Sequence, residues 1–117
     1  MSLTIHVRSK VPTTSIDLTG RLVSGQGFEQ IRDDVRNAIE QGSKQILINM
    51  AGVTYIDSCG LGELAGFHAS AARKGAHLVL LNAIGAVRTS LKITGLDTVI
   101  ATADSIGRTE TGSYVVQ

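Results

Sequence analysis

The stretch Val53-Thr54-Tyr55-Ile56-Asp57-Ser58-Cys59-Gly60-Leu61-Gly62 holds the residue types most able to do chemistry. A carboxylate, a hydroxyl and a thiol stand side by side, followed by a leucine between two glycines. They fall between an apolar run and the first residues of a helical pattern, which predicts a helix N-terminus. The first N–H groups of a helix lack internal partners and point outward. With the macrodipole they favour negative charge. Asp57 and Ser58 are both good capping residues, and the Ser58 hydroxyl is expected to cap the helix that follows. Gly60 and Gly62 let the backbone approach a neighbour or a bound group. A phosphate on Ser58 would carry about two negative charges and three acceptor oxygens, with helix N–H groups at hand to hold it. Plain capping and a phosphorylation switch both fit this local spacing.

Other chemistries fit less well. A thiol near a helix N-terminus can act as a nucleophile. A phosphatase-type loop, however, wants Arg six residues after the Cys, where this chain has Ala65. The serine elbow of hydrolases needs Gly two residues before the Ser, and Ile56 is there. No Gly-Lys-Ser/Thr occurs, so no Walker loop is expected. His6, His68 and His77 lie in different segments without ligand spacing or an acidic cluster, so neither metal nor cofactor is expected. Arg73-Lys74 at a helix end, and Arg88 and Lys92 four residues apart, read as solvated charge.

The elements that must position this stretch are legible around it. Thr4–Arg8 and Ser15–Thr19 alternate polar and apolar residues, with a turn at Pro12, and predict a hairpin that stops at Gly20. Phe28, Ile31, Val35, Ala38 and Ile39 recur at helical spacing, with Gly42 as a left-handed cap. Gln45–Met50 reads as a buried strand. Leu61, Leu64, Ala65, His68, Ala71 and Ala72 predict a second helix, capped by Gly75. His77–Asn82 is another strand. Ile84, Val87, Leu91 and the Lys92 stem line a third helix ending at Gly95, and Val99–Ala101 predicts a last short strand. The class is α/β, in the order β-β-α-β-α-β-α-β. Right-handed crossovers put the helices mainly on one face of a mixed sheet. Residues 1–105 form the domain. From 106 to 117 the pattern weakens to a tail, with 113–117 able to add an edge strand.

Composition narrows the function. The 117 residues fit one domain that can bury a core unaided. Aromatics are 3% with no Trp, so a base-stacking platform is not expected. A net charge of +1 without a basic run excludes an electrostatic footprint for nucleic acid or an anionic membrane. One cysteine, no apolar leader and no long apolar run predict a cytoplasmic chain without membrane insertion.

Ile56–Gly62 resembles the Asp-Ser-Ser/Thr-Gly-Leu-Gly signature of anti-sigma-factor antagonists in the STAS family. Leu18-Thr19-Gly20-Arg21-Leu22 resembles the family's second-strand motif. Ile48-Asn49-Met50-Ala51-Gly52-Val53 resembles its Asp-Leu-Ser-Gly-Val strand end, and Leu91-Lys92-Ile93-Thr94-Gly95-Leu96 its Leu-x-x-Thr-Gly-Leu segment. The four motifs stand in family order over roughly residues 3 to 105. The resemblance implies a bacterial partner switch rather than an enzyme. The unphosphorylated protein binds an anti-sigma factor that is also a serine kinase of the histidine-kinase-like ATPase type, and so frees the sigma factor. Phosphorylation of Ser58 ends binding, and a serine phosphatase resets it. The implied partner-binding surface comprises Asp57, Ser58, Cys59, Gly60, Leu61 and Gly62, flanked by Ser24, Gly25 and Gln26. Three residues depart from the family pattern: Val23 and Asn49, where Asp is usual, and Cys59, where Ser or Thr is usual. The first two remove carboxylates expected near the switch residue. The alternative reading is a non-switching STAS scaffold, or a regulatory subunit of a membrane lipid or anion transporter.

Overall fold

Val11 and Pro12 turn the chain between two strands, of which the second alternates in and out of the core while the first, expected to alternate too, is exposed except at Ile5. In the computed structural model, which describes residues 3–104, these are β1 (Thr4–Lys10) and β2 (Thr13–Leu22). The chain continues through α1 (Phe28–Glu40), β3 (Gln45–Ile56), α2 (Ser58–Arg73), β4 (His77–Leu81), α3 (Gly85–Ile93), a 3-10 turn (Leu96–Thr98) and β5 (Ala101–Ala103). The sheet order is β1-β2-β3-β4-β5. β1 is antiparallel to β2, and every later pair is parallel. The three crossovers step the same way across the sheet, so right-handedness places all three helices on one face. The core agrees. Ile16, Leu18, Leu22, Ile46, Ile48, Met50, Leu78 and Leu80 point to the same side and meet Ile31, Val35, Leu64, Phe67, Val87 and Leu91. The α/β class and the mixed sheet expected from the pattern are what the chain forms.

Glycines at Gly42 and Gly75 take positive φ after α1 and α2, as their places at the helix ends require. Several details differ from the sequence reading. β2 runs past Gly20 to Leu22, and β3 runs past Met50 to Ile56. α2 buries Gly60, Leu64, Phe67 and Ala71, so Phe67 belongs to the core and Ala72 is exposed. Ile84 precedes α3 and is 60% exposed rather than lining it. β5 lies two residues later than expected, because the 3-10 turn intervenes and leaves Val99 in solvent. The tail at 106–117, and the edge strand at 113–117, fall outside the described residues. Among those described, no helix is long and apolar enough to cross a membrane.

Candidate functional site

β2 and β3 outrun the rest of the sheet. The last β3–β4 pair is Asn49–Leu81, whereas β2–β3 pairing continues to Leu22–Ile56. Two register shifts let this overhang form, one between Asp17 and Thr19 and one between Gly20 and Arg21. Gly52 is needed at the first: a Cβ there would stand 2.8 Å from Thr19 Oγ1 and 2.9 Å from the Leu18 carbonyl oxygen. The overhang carries the start of α2 to the carboxyl end of the parallel strands, where α/β sheets tend to bind ligands.

Asp57 organises that end. Its backbone N–H donates to the Leu22 carbonyl oxygen at 3.3 Å, continuing the strand pairing. Its Oδ1 accepts from the Gly60 N–H at 2.8 Å and caps α2. Its Oδ2 accepts from the Ser24 N–H at 3.1 Å and holds the loop after β2. One carboxylate therefore ties together two segments 33 residues apart in sequence. The Gly60 N–H, then the Ser24 N–H, hold its pKa below the usual aspartate value, against a smaller opposing effect of burial. The cap is Asp57, not Ser58, because only Asp57 has the extended backbone that turns its oxygen back onto the Gly60 N–H. Ser58 is the first helical residue and is exposed, as is Cys59 beside it.

The two glycines have different reasons. Gly60 is buried, and a Cβ there would fall 2.3 Å from the Leu22 carbonyl oxygen and 2.8 Å from Ile56 Cγ1. Gly62 has no neighbour within 4 Å of such a Cβ, so close packing does not require it. Leu61 is half-buried and packs against the core. In the loop, Ser24 and Gly25 are exposed and Gln26 is half-buried, its N–H donating to the Val23 carbonyl oxygen at 3.1 Å. Gly25 adopts φ 83°, a conformation that favours glycine. Arg32 of α1 adds a second tie. Its Nε and a terminal nitrogen donate to the two Glu63 oxygens at 2.9 and 2.8 Å, holding α1 against the second turn of α2.

The structure brings Ser24, Asp57, Ser58, Cys59 and Gly60 together, with Gly25, Gln26, Leu61 and Gly62 adjoining them in chain. Val23 sits in the same loop. Asn49 does not belong there. It lies eight residues before Asp57 along an extended strand, roughly 20 Å away. Its Oδ1 accepts from the Ala51 N–H at 3.1 Å and from Asn82 Nδ2 at 3.0 Å. Its amide therefore shapes the strand interior, not the start of α2. A feature missed from sequence is the Arg21 guanidinium stacked 5.1 Å from the Tyr55 ring centroid. Both side chains are exposed and occupy paired positions one step before Leu22 and Ile56. No alternation announces it, since Thr54 and Tyr55 are both exposed; the pair becomes readable only once β3 is known to reach Ile56. Cys59 is a free, exposed thiol, and among the described residues no three His, Cys, Asp or Glu side chains gather to hold a metal.

Comparison with known proteins agrees with this architecture. A STAS domain model matches residues 7–109. The anti-sigma factor antagonist SpoIIAA in its unphosphorylated form is 26% identical, with a TM-score of 0.73, over 92% of this chain and 90% of that one. The phosphorylated form of the Bacillus cell fate determinant SpoIIAA is also 26% identical, with a TM-score of 0.67, over 92% and 94%. A sulfate transporter family protein from Wolinella succinogenes shares the fold at 17% identity and a TM-score of 0.63, over 80% and 75%. With the family model spanning nearly its whole length, this chain belongs to the STAS domain family.

Proposed function

We propose that this chain is an anti-sigma-factor antagonist, switched off by phosphorylation of Ser58. The observation that carries the proposal is the exposed Ser58 hydroxyl on the first turn of α2, beside the carboxylate that pins the Ser24 loop. A phosphate can be added there without displacing a buried group. It would join Asp57, whose charge already uses the Gly60 and Ser24 N–H groups. The modified surface would then present two adjacent acids. A partner that covers them meets both a desolvation cost and like-charge repulsion if it brings acids of its own. Swinging binding from nearly complete to nearly absent takes a differential of about 5.5 kcal/mol, and a dianion at the centre of an interface acts at that scale. The partner in this reading is an anti-sigma factor with serine kinase activity, docking over Ser24, Gly25, Gln26 and the residues from Asp57 to Gly62. A serine phosphatase restores the binding form.

The deciding experiment is mass spectrometry of the protein purified from its native cells, together with binding of wild type, S58A and S58D to the cognate kinase. Phosphate on Ser58, retained binding by S58A and at least a thousandfold loss in S58D are expected. An unmodified Ser58 with equal binding by all three forms overturns the switch. Val23 favours a second reading, because it leaves the loop beside Ser58 without the usual carboxylate. That reading is a non-switching scaffold or a regulatory subunit of a membrane lipid or anion transporter, and it predicts the equal-binding outcome.

A further inference from the structure

A groove of about 420 Å³ runs between α1 and α2 on the helix side of the sheet. Both helices return between parallel strands, so they lie side by side and point the same way. Val35 and Ile39, one turn apart on α1, form the floor together with Phe67 of α2. Val35 and Phe67 belong to the core and the half-buried Ile39 packs against it, so the floor is the outer edge of that core. The Arg32–Glu63 pair joins the helices at one end of the groove. The other end is reached at Glu40, the last residue of α1, and Lys74, just past α2. Four cations line the groove, Arg32, Arg36, Arg73 and Lys74, against one carboxylate, Glu40. Arg32 and Arg36 are already matched, by Glu63 and Asp33. Arg73 and Lys74 are exposed, and among the described residues neither has an ion-pair partner. The Arg73 guanidinium donates to the Ser70 hydroxyl at 3.3 Å. Glu40, on the α1 side, offsets at most one of these two charges.

We propose that this groove binds a medium-chain aliphatic carboxylate. The head group sits at Arg73 and Lys74, and the alkyl chain runs along Ile39, Val35 and Phe67 towards the Arg32–Glu63 pair. Three observations select this occupant. The unmatched positive charge is confined to one end of an apolar floor, which suits a ligand with one anionic end and an apolar body. From Arg32 to Glu40 the groove is about 12 Å long, the reach of an extended alkyl chain of about ten carbons. Its volume falls in the range of small-molecule sites, about 300–1,000 Å³. A protein partner or a second copy commonly needs about 800 Å² on each side, which a groove this short does not offer. Arg73 ends the helix that Ser58 begins, about 22 Å away along its axis. The inference therefore stands apart from the Ser58 reading.

Methyl-resolved NMR of the full chain, titrated with decanoate, tests it. The Val35 and Ile39 methyls should shift and saturate with a dissociation constant of roughly 10–100 µM. The Val87 and Leu91 methyls, under α3, should stay in place. The R73A/K74A variant should bind about tenfold more weakly or worse, whereas R73K/K74R, which keeps both charges, should bind like wild type. Decyltrimethylammonium, with the same chain and the opposite charge, should bind at least tenfold more weakly than decanoate. No saturable shift at Val35 and Ile39 overturns the proposal, and so does equal binding of the two amphiphiles or of wild type and R73A/K74A. Methyls that ignore decanoate but respond to a glutamate-bearing amphipathic helical peptide, or to protein concentration, also overturn it and assign the groove to a protein partner or to a second copy.

Discussion

The two ends of the parallel strands are held in different ways. At the amino end the main chain does nearly everything. The Pro12 carbonyl oxygen accepts from the Lys44 and Gln45 N–H groups at 2.8 and 3.1 Å, and the Lys44 carbonyl oxygen accepts from the His77 N–H at 2.9 Å. The shortest side-chain contact there is sealed inside, the Thr14 and Ser43 hydroxyls meeting at 2.7 Å with both residues buried, and longer ones run from Ser9 to Thr14 and Gln41 and from Thr13 to Gln45. At the carboxyl end a single carboxylate, Asp57, joins the Ser24 loop to α2, and the surrounding side chains stay accessible. Backbone bonds depend little on residue type, so the amino end tolerates sequence change and offers a partner little. The carboxyl end depends on particular residues and leaves a hydroxyl in solvent. Changes at the first end should therefore act on stability alone, and changes at the second on stability and recognition together.

The largest expected effect is that of Gly60→Ala. The new methyl would press on the Leu22 carbonyl, which cannot retreat without losing its bond from the Asp57 N–H. A loss of about 2–3 kcal/mol is expected, read as a lowered urea midpoint at unchanged slope. A wild-type midpoint would show that α2 and β2 do not approach as closely as described. Ser43→Ala comes next. It removes the short bond to the buried Thr14 hydroxyl and leaves that group the longer contact to the Ser9 hydroxyl at 3.4 Å, so a loss of about 1 kcal/mol is expected. It should lower the midpoint yet leave partner affinity unchanged. If affinity falls with it, the division between the two ends fails.

How much of this was visible beforehand follows the same division. The order of elements and the one-sided helices were legible, because binary patterning and crossover handedness are local rules. The length of β3 was not. Ala51-Gly52 breaks the apolar run and Thr54-Tyr55 is exposed, so the strand seems to end at Met50. It continues because β2 continues beside it, and such non-local pairing leaves no local trace. The site stretch was legible as a helix start, but two adjacent capping residues left open which one caps. The backbone of Asp57 decided that. Asn49 was expected near the switch and lies along the strand instead, since the extra length of β3 separates the two.

Asp57→Asn tests the carboxylate itself. Asparagine keeps one carbonyl acceptor for the Gly60 N–H but offers none for the Ser24 N–H. The folded pKa of Asp57 is lowered, so its contribution is fully present above the ordinary aspartate value near 4 and is lost as pH falls through the folded value. Thermal midpoints of wild type and D57N should therefore differ at pH 7 and converge as pH falls through the lowered pKa of Asp57. Taking the difference between the two proteins cancels the other carboxylates, including Glu63, which Arg32 lowers, and Asp34, which burial raises. A gap that stays constant down to pH 2 would mean that the charge of Asp57 holds nothing.

Gly62→Ala should give the smallest change in stability, and one of opposite sign. Nothing lies within 4 Å of the added methyl, and the residue is exposed on α2. Replacing a helical glycine by alanine favours the folded state by about 0.5–1 kcal/mol, because it removes backbone freedom from the unfolded chain. The urea midpoint should rise slightly. If the start of α2 is where a partner docks, affinity should fall in the same variant, since the methyl stands between two surfaces that otherwise meet at the backbone. Gly60 is thus required by the fold, whereas Gly62 is not. A G62A protein that is more stable and binds equally well would confine the docking surface to Ser58 and the Ser24 loop.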